Sequence, residues 1–158
     1  MKNIFAKNSS GFSLVELLVV IAITFIMTGV LFANDNKKKA TADVESVARQ
    51  IATQIRAVQN DALTGKRIGD EYAKTYTFSS YVTGYSTSYL NSGGADIGGG
   101  LAIDLSKKRV AITANNFSFI SPFAYTSLGT ITITSSLDGA VKMCVDVTTK
   151  GDVTERKC

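Results

Sequence analysis

Apolar and polar positions follow three successive rhythms along this chain. Residues 12–33 are an almost unbroken run of Leu, Val, Ile, Phe and Ala in which Glu16 is the only charge. Apolar side chains would surround the whole helical circumference, which does not suit a core helix buried on one face. At 1.5 Å per residue this run makes a helix of about 33 Å, enough for a bilayer core of about 30 Å. Residues 34–39 are polar. Then Val44, Val47, Ala48, Ile51, Ile55, Val58 and Ala62 recur every third or fourth position, the spacing of an amphipathic helix. Gly65, with Lys66 and Arg67 beside it, supplies the stop. Nothing after Gly29 breaks the path between the two stretches, so the pattern predicts one continuous helix over residues 13–64, on the order of 75 Å long.

From Tyr72 the period changes to two. Residues 74–82, 101–105, 109–113, 117–120, 130–134 and 140–147 alternate or are β-branched, as strands do. Turn signals separate them: Asn91-Ser-Gly-Gly, Gly98-Gly-Gly, Asn115-Asn116, Asp138-Gly139 and Lys150-Gly151-Asp152. The predicted fold class is α+β: a long N-terminal helix whose second half packs on a mostly antiparallel β head of one or two layers. The 158 residues are enough for one domain.

Charge and chemistry narrow the function. A carboxylate in hydrocarbon costs roughly 2.5–3.5 kcal/mol on insertion scales, so Glu16 calls for a partner. A secretory signal has a shorter apolar core and a small-residue cut site, which residues 31–33 do not supply. A plain signal anchor has the right length but no use for Glu16. Lys2 and Lys7 precede the run and residues 37–39 are all lysine, offset only partly by Asp35, so a positive-inside count gives a near tie. With no histidine, neither a Ser-His-Asp nor a Cys-His arrangement exists. Thr64-Gly65-Lys66 lacks the upstream glycine of a phosphate loop, because Asn60 stands there. The glycines of 93–100 fit no dinucleotide fingerprint and read as a flexible loop. Asp96, Asp104, Asp138 and Asp152 lack the spacing of a calcium loop. The expectation is therefore no catalytic residue, no cofactor and no metal site. Tyr72, Tyr76, Tyr81, Tyr85 and Tyr89 with Phe78 form the densest aromatic group and read mainly as packing. Cys144 and Cys158, an even pair, read as a disulfide if the head is exported and as two thiols otherwise.

The segment Gly11-Phe12-Ser13-Leu14-Val15-Glu16 ahead of the apolar run resembles the N-terminus of a type IV pilin or pseudopilin precursor: a processing glycine, then Phe, a small hydroxyl residue, two aliphatics and Glu at the fifth position. The resemblance implies a leader of residues 1–11, a membrane and filament-core helix of 12–33, its amphipathic continuation over 34–65 and a type IV pilin-like β head of 66–158. It implies cleavage by a prepilin peptidase between Gly11 and Phe12, N-methylation of Phe12, and pairing of Glu16 with the Phe12 amine of a neighbouring subunit. It also favours a Cys144–Cys158 bridge. Loss of Lys2 and Lys7 with the leader lowers the net charge from +4 to +2. The implied partners are other pilin subunits, the peptidase and the lipid of a bacterial cytoplasmic membrane, crossed once with the head outside before the subunit joins a filament.

The chain departs from major pilins in lacking a Gly near Phe25 and a Pro at position 33, which leans toward a minor pilin or pseudopilin. Residues 117–158 loosely resemble the GspH/FimT type of minor pilin. Some of those capture DNA through a basic C-terminal motif. Here Arg156 and Lys157 are basic, but Asp152 and Glu155 stand between them and Gly151, so DNA binding is the alternative reading, as is a major subunit.

Overall fold

The computed structural model describes residues 13–158. The chain divides into two compact units, Met1–Asn36 and Lys37–Cys158. One helix, α1 (Leu14–Thr64), begins in the first and ends in the second, and no residue interrupts it. Its end is closed as the sequence predicts. Gly65 takes φ +64°, a region open to glycine, and Lys66 N–H donates to Asp61 O at 3.0 Å across the last turn.

Within Lys37–Cys158 the apolar stripe of α1 is fully buried, from Ala40 and Val44 through Ile51 and Ile55 to Ala62. Alanines at 48, 52 and 62 leave room for close approach of the sheets. After the helix come a two-stranded hairpin, β1 (Arg67–Ile68) and β2 (Glu71–Tyr72), then β3 (Thr75–Tyr81), β4 (Gly84–Leu90) and β5 (Ala102–Asp104). A 3-10 turn at Ser106–Lys108 leads into β6 (Val110–Ile112), β7 (Asn115–Ile120), β8 (Gly129–Ser135), β9 (Lys142–Val147) and β10 (Val153–Lys157). Two four-stranded antiparallel sheets result, in the orders β5-β4-β3-β7 and β10-β9-β8-β6. They meet where Thr113 and Thr132 exchange bonds at 2.8 and 3.0 Å and Asn115 Nδ2 donates to Thr130 O at 3.3 Å.

Each sheet is apolar on one face. Tyr76 and Phe78 of β3, Phe117 and Phe119 of β7, Ile131 and Ile133 of β8, and Val145 and Val147 of β9 join the helix stripe in a single core. The opposite faces carry Thr and Ser, with Thr77 and Ser118 hydroxyls 3.1 Å apart. This is the half-buried alternation of antiparallel sheets.

Three parts of the head differ from expectation. Asn115 and Asn116 are not a turn but the first residues of β7, opposite Ser80 and Ser79. The Ser80 hydroxyl accepts Asn115 N–H at 3.0 Å and supplies the polar partner that β structure needs there. β4 carries Thr87 on its buried face, which breaks the apolar alternation expected of a strand. β10 is an edge strand of Val-Thr-Glu-Arg-Lys, charged as sheet edges often are.

The strands run along the helix, which gives this unit two distinguishable ends. Gln50 Nε2 donates to Tyr85 OH at 3.0 Å near the start of β4, while Tyr89 OH near its end donates to Asp61 Oδ2 at 3.1 Å. Tyr76 OH donates to Lys66 O at 2.9 Å. The far end thus holds the helix C-terminus, and the entry end is where the chain arrives at Lys37. At the entry end a Cβ on Gly84 would lie 2.1 Å from Ile103 O, so only glycine permits the β4–β5 pairing there.

Candidate functional site

The first described turn carries a reciprocal cap. Glu16 N–H donates to Ser13 Oγ at 3.2 Å, and Ser13 N–H donates to Glu16 Oε2 at 2.9 Å. Ser-x-x-Glu with both bonds made is a capping box, which satisfies two amides that a helix start leaves open. Glu16 therefore has a partner inside its own chain, which the charge argument alone did not find, although the Ser13–Glu16 spacing signals it. Leu14, Leu18, Phe25, Ile26 and Met27 are between 62% and 79% exposed, an apolar surface with no cover in the single chain. Thr24 and Thr28 do not interrupt it, because their hydroxyls donate back to Val20 O and Thr24 O at 2.7 Å. Among the described residues no helix is long and apolar enough to cross a membrane.

At the other end of the sequence, Cys144 of β9 and Cys158 are bonded, with Cα atoms 5.4 Å apart. The bridge ties the C-terminus to β9 beside the Arg156–Cys144 register pair. Arg156 forms an ion pair with Asp146, whose carboxylate also accepts the Thr130 hydroxyl at 2.6 Å. The Thr130 bond first, and the Arg156 bond second, hold the Asp146 carboxyl below the usual carboxylate range. Lys157 points elsewhere, lining an open pocket of about 510 Å³ with Thr41, Glu45, Lys142 and Cys158. The structure therefore does not bring Arg156 and Lys157 together as one basic surface.

The scattered aspartates have local duties. Asp96, Asp104 and Asp138 accept the backbone N–H groups of Gly98, Ser106 and Ala140 at 2.8, 2.8 and 3.0 Å, closing turns. Asp152 sits 3.4 Å from the Thr148 hydroxyl. Among the described residues no group of three acids or cysteines could hold a metal. The 93–100 loop is pinned rather than bare: Asn91 Oδ1 accepts Gly93 and Ala95 N–H, each at 3.0 Å. Of the aromatic group, Tyr76, Phe78, Tyr85 and Tyr89 are core and Tyr72 and Tyr81 are exposed. Burial raises the three buried phenols above their ordinary pKa. Lys66 is raised as well, chiefly by its bond to Asp61 at 2.8 Å.

The family model described as the prokaryotic N-terminal methylation motif matches residues 6–32. The chain carries a type IV pilin-like prepilin motif. No curated protein and no solved structure matches it. The motif marks type IV pilin and pseudopilin precursors, which are cleaved, methylated and assembled as structural subunits, and it accords with the α+β layout of helix on antiparallel sheets. Gly11 and Phe12, the expected processing residues, fall inside the matched stretch and outside the described residues. Glu16 falls inside both, at the helix start.

Proposed function

We propose that this chain is a structural subunit, a minor pilin or pseudopilin, of a type IV pilus or type II secretion-like filament. A prepilin peptidase cuts between Gly11 and Phe12, Phe12 is N-methylated, and the subunit waits in the cytoplasmic membrane on residues 12–33 with its head outside. On assembly the apolar helix leaves lipid for the filament core, exchanging one apolar environment for another at small net cost. The observation that carries this reading is the matched motif, whose stretch includes an apolar helical surface that the single chain leaves uncovered. The unbroken α1 and the missing Gly and Pro support a minor role.

In this reading the Glu16 carboxylate serves twice. Its Oε2 accepts Ser13 N–H within the chain, and a carboxylate has two oxygens with about four acceptor sites. The remaining capacity accepts the Phe12 ammonium of the next subunit, which removes the cost of an unpaired charge and fixes register. Two substitutions separate these roles. Glu16→Gln keeps the capping box, since Gln serves at that position, but loses the charge. Ser13→Ala loses the cap, worth about 1 kcal/mol, and keeps the charge. Filaments sheared from cells should lack Glu16→Gln and contain Ser13→Ala, and mass spectrometry of the mature chain should begin at methylated Phe12. Incorporation of Glu16→Gln at the unmutated level would refute the pairing, and a chain still beginning at Met1 beside an active peptidase would refute the reading.

A further inference from the structure

The basic residues of the head are unevenly placed. Lys37, Lys38 and Lys39 lie on α1 where the chain enters the unit, and all three are exposed. Residues 107–109, Lys-Lys-Arg, lie at the same end. Asp104 pairs with Gly84, Leu105 N–H donates to Thr83 O at 2.7 Å, and Arg109 O accepts Ser136 N–H at 2.8 Å. Lys142 and Lys157 complete this end through their pairings with Thr134 and Met143.

Among the described residues none of these eight cations is in an ion pair. Asp43, Glu45, Asp104 and Asp138 share the end and leave the cations in excess. Glu45 is itself matched by Arg49 at 3.8 Å. At the far end acids match or exceed the cations: Arg56, Lys66 and Arg67 are paired with Glu155, Asp61 and Asp70, and the exposed Lys74 and Lys150, in no ion pair among the described residues, are offset by Glu71, Asp96 and Asp152. Arg109 holds its place at φ +53°, a left-handed conformation uncommon for a side-chain-bearing residue, so the 107–109 turn presents its charges on a bent backbone.

We propose that the entry end of the head is a docking face for an anionic lipid surface. The inference rests on the membrane stage of the proposed function. Lys37, Lys38 and Lys39 follow residue 33 within a few residues, and the other five cations share their end of the head. Juxtamembrane lysine and arginine are drawn to anionic headgroups over a Debye length of about 8–10 Å. The near tie in flanking charge then has a physical cause: residues 37–39 serve the lipid surface outside rather than orientation. Release into a filament requires leaving that surface, so docking would hold waiting subunits in the membrane plane.

The chain has no tryptophan, which makes a single-Trp reporter clean. Val82, 61% exposed in the entry-end turn, becomes the reporter as Val82→Trp; Phe123, 68% exposed at the far end, becomes the control as Phe123→Trp. The full chain is reconstituted in vesicles of zwitterionic lipid, or of that lipid with phosphoglycerol lipid, each containing a headgroup-borne quencher. Quenching of Val82→Trp should rise about twofold or more in the anionic vesicles at low salt and fall back near 1 M salt, where the Debye length is about 3 Å. Phe123→Trp should not change. Changing residues 107–109 to Gln should remove much of the rise, and changing 37–39, Lys142 and Lys157 to Gln as well should remove the rest.

Equal quenching in both lipids would overturn the proposal. So would a rise that survives both sets of substitutions, or salt-dependent self-association without quenching, which would assign the face to another copy of the chain. A chain that floats with zwitterionic vesicles and shows no rise overturns the docking alone. One that fails to float at all overturns the membrane stage and the docking with it.

Discussion

Removing the Cys144–Cys158 bridge tests how the head holds its C-terminus. The bond closes a loop with a sequence separation of 14, for which chain-entropy reasoning gives about 3 kcal/mol. Native pairing holds the same strand, since β10 is in register with β9 at every position from Val153 to Lys157. Arg56 also holds the strand, donating to Val153 O at 2.9 Å and meeting Glu155 at 3.6 Å. These contacts act on the folded state, whereas the bridge acts mainly by restricting the unfolded chain, so the two contributions largely add. The expected loss is about 2–3 kcal/mol.

The assay is thermal unfolding of the full chain in mild detergent, followed by near-UV circular dichroism of the buried tyrosines. For a unit of this size the loss should lower Tm by roughly 8–12 °C. Single substitutions separate bridging from packing. Cys144 is 5% exposed and Cys158 is exposed, so a packing cost would fall on Cys144→Ala alone. If the bridge is the cause, Cys144→Ala and Cys158→Ala should lower Tm by similar amounts, and reductant should have no further effect on either. An unchanged Tm for Cys158→Ala would refute the reasoning.

Two further outcomes follow from the head. Asp146 has a carboxyl pKa depressed in the folded state by Thr130 and Arg156. Its stabilisation should therefore be present above the unfolded carboxylate pKa, near 4, and be lost as pH falls through the lower folded value. Arg156→Ala should reduce stability at pH 7 by roughly 0.5–1 kcal/mol and flatten this acid limb, measured by denaturant melts from pH 7 to pH 2; an unchanged limb would count against the pair. Ile51→Ala, at a fully buried position of the helix stripe, should cost about 2–4 kcal/mol in the same melts, and a cost below about 1 kcal/mol would mean the helix does not share the core of the sheets.

Periodicity made most of the fold legible because burial here is one-sided. The helix stripe keeps its three-to-four spacing and the inward residues of β3, β7 and β8 alternate, while β9 buries Cys144 and Val145 in succession. The strands that escaped are those whose inward or paired residues are not apolar. β4 places Thr87 inside, where its hydroxyl accepts Leu101 N–H at 2.8 Å. β10 is stabilised by pairing, a disulfide and ion pairs rather than by an apolar face. Residues 115–116 read as a turn because Asn commonly forms one, yet in the strand Ser80 and Thr130 satisfy Asn115, and Asn115 Oδ1 accepts Asn116 N–H. Propensity lost to specific hydrogen bonds in each case.

The candidate site divides along the same line. Gly11, Phe12 and Glu16 were legible as a motif because a lone acid in an apolar run is costly and therefore informative. Its intrachain partner was equally written in the sequence, as Ser13 three residues earlier, but an argument from charge looks for a cation and passes over an amide. Arg156 shows the converse. As a string it stands beside Lys157 as a basic pair, but alternation in a strand sends neighbouring side chains to opposite faces, and Asp146 takes one of them. The cations that do converge are separated by some 70 residues of sequence: 37–39 lie on α1, while the β4–β5 register and the Gln50–Tyr85 bond set the 107–109 turn at the same end of the head. Charge summed over the chain is mild; sorted by the fold, eight cations outside any ion pair among the described residues gather at the entry end against two, Lys74 and Lys150, at the far end.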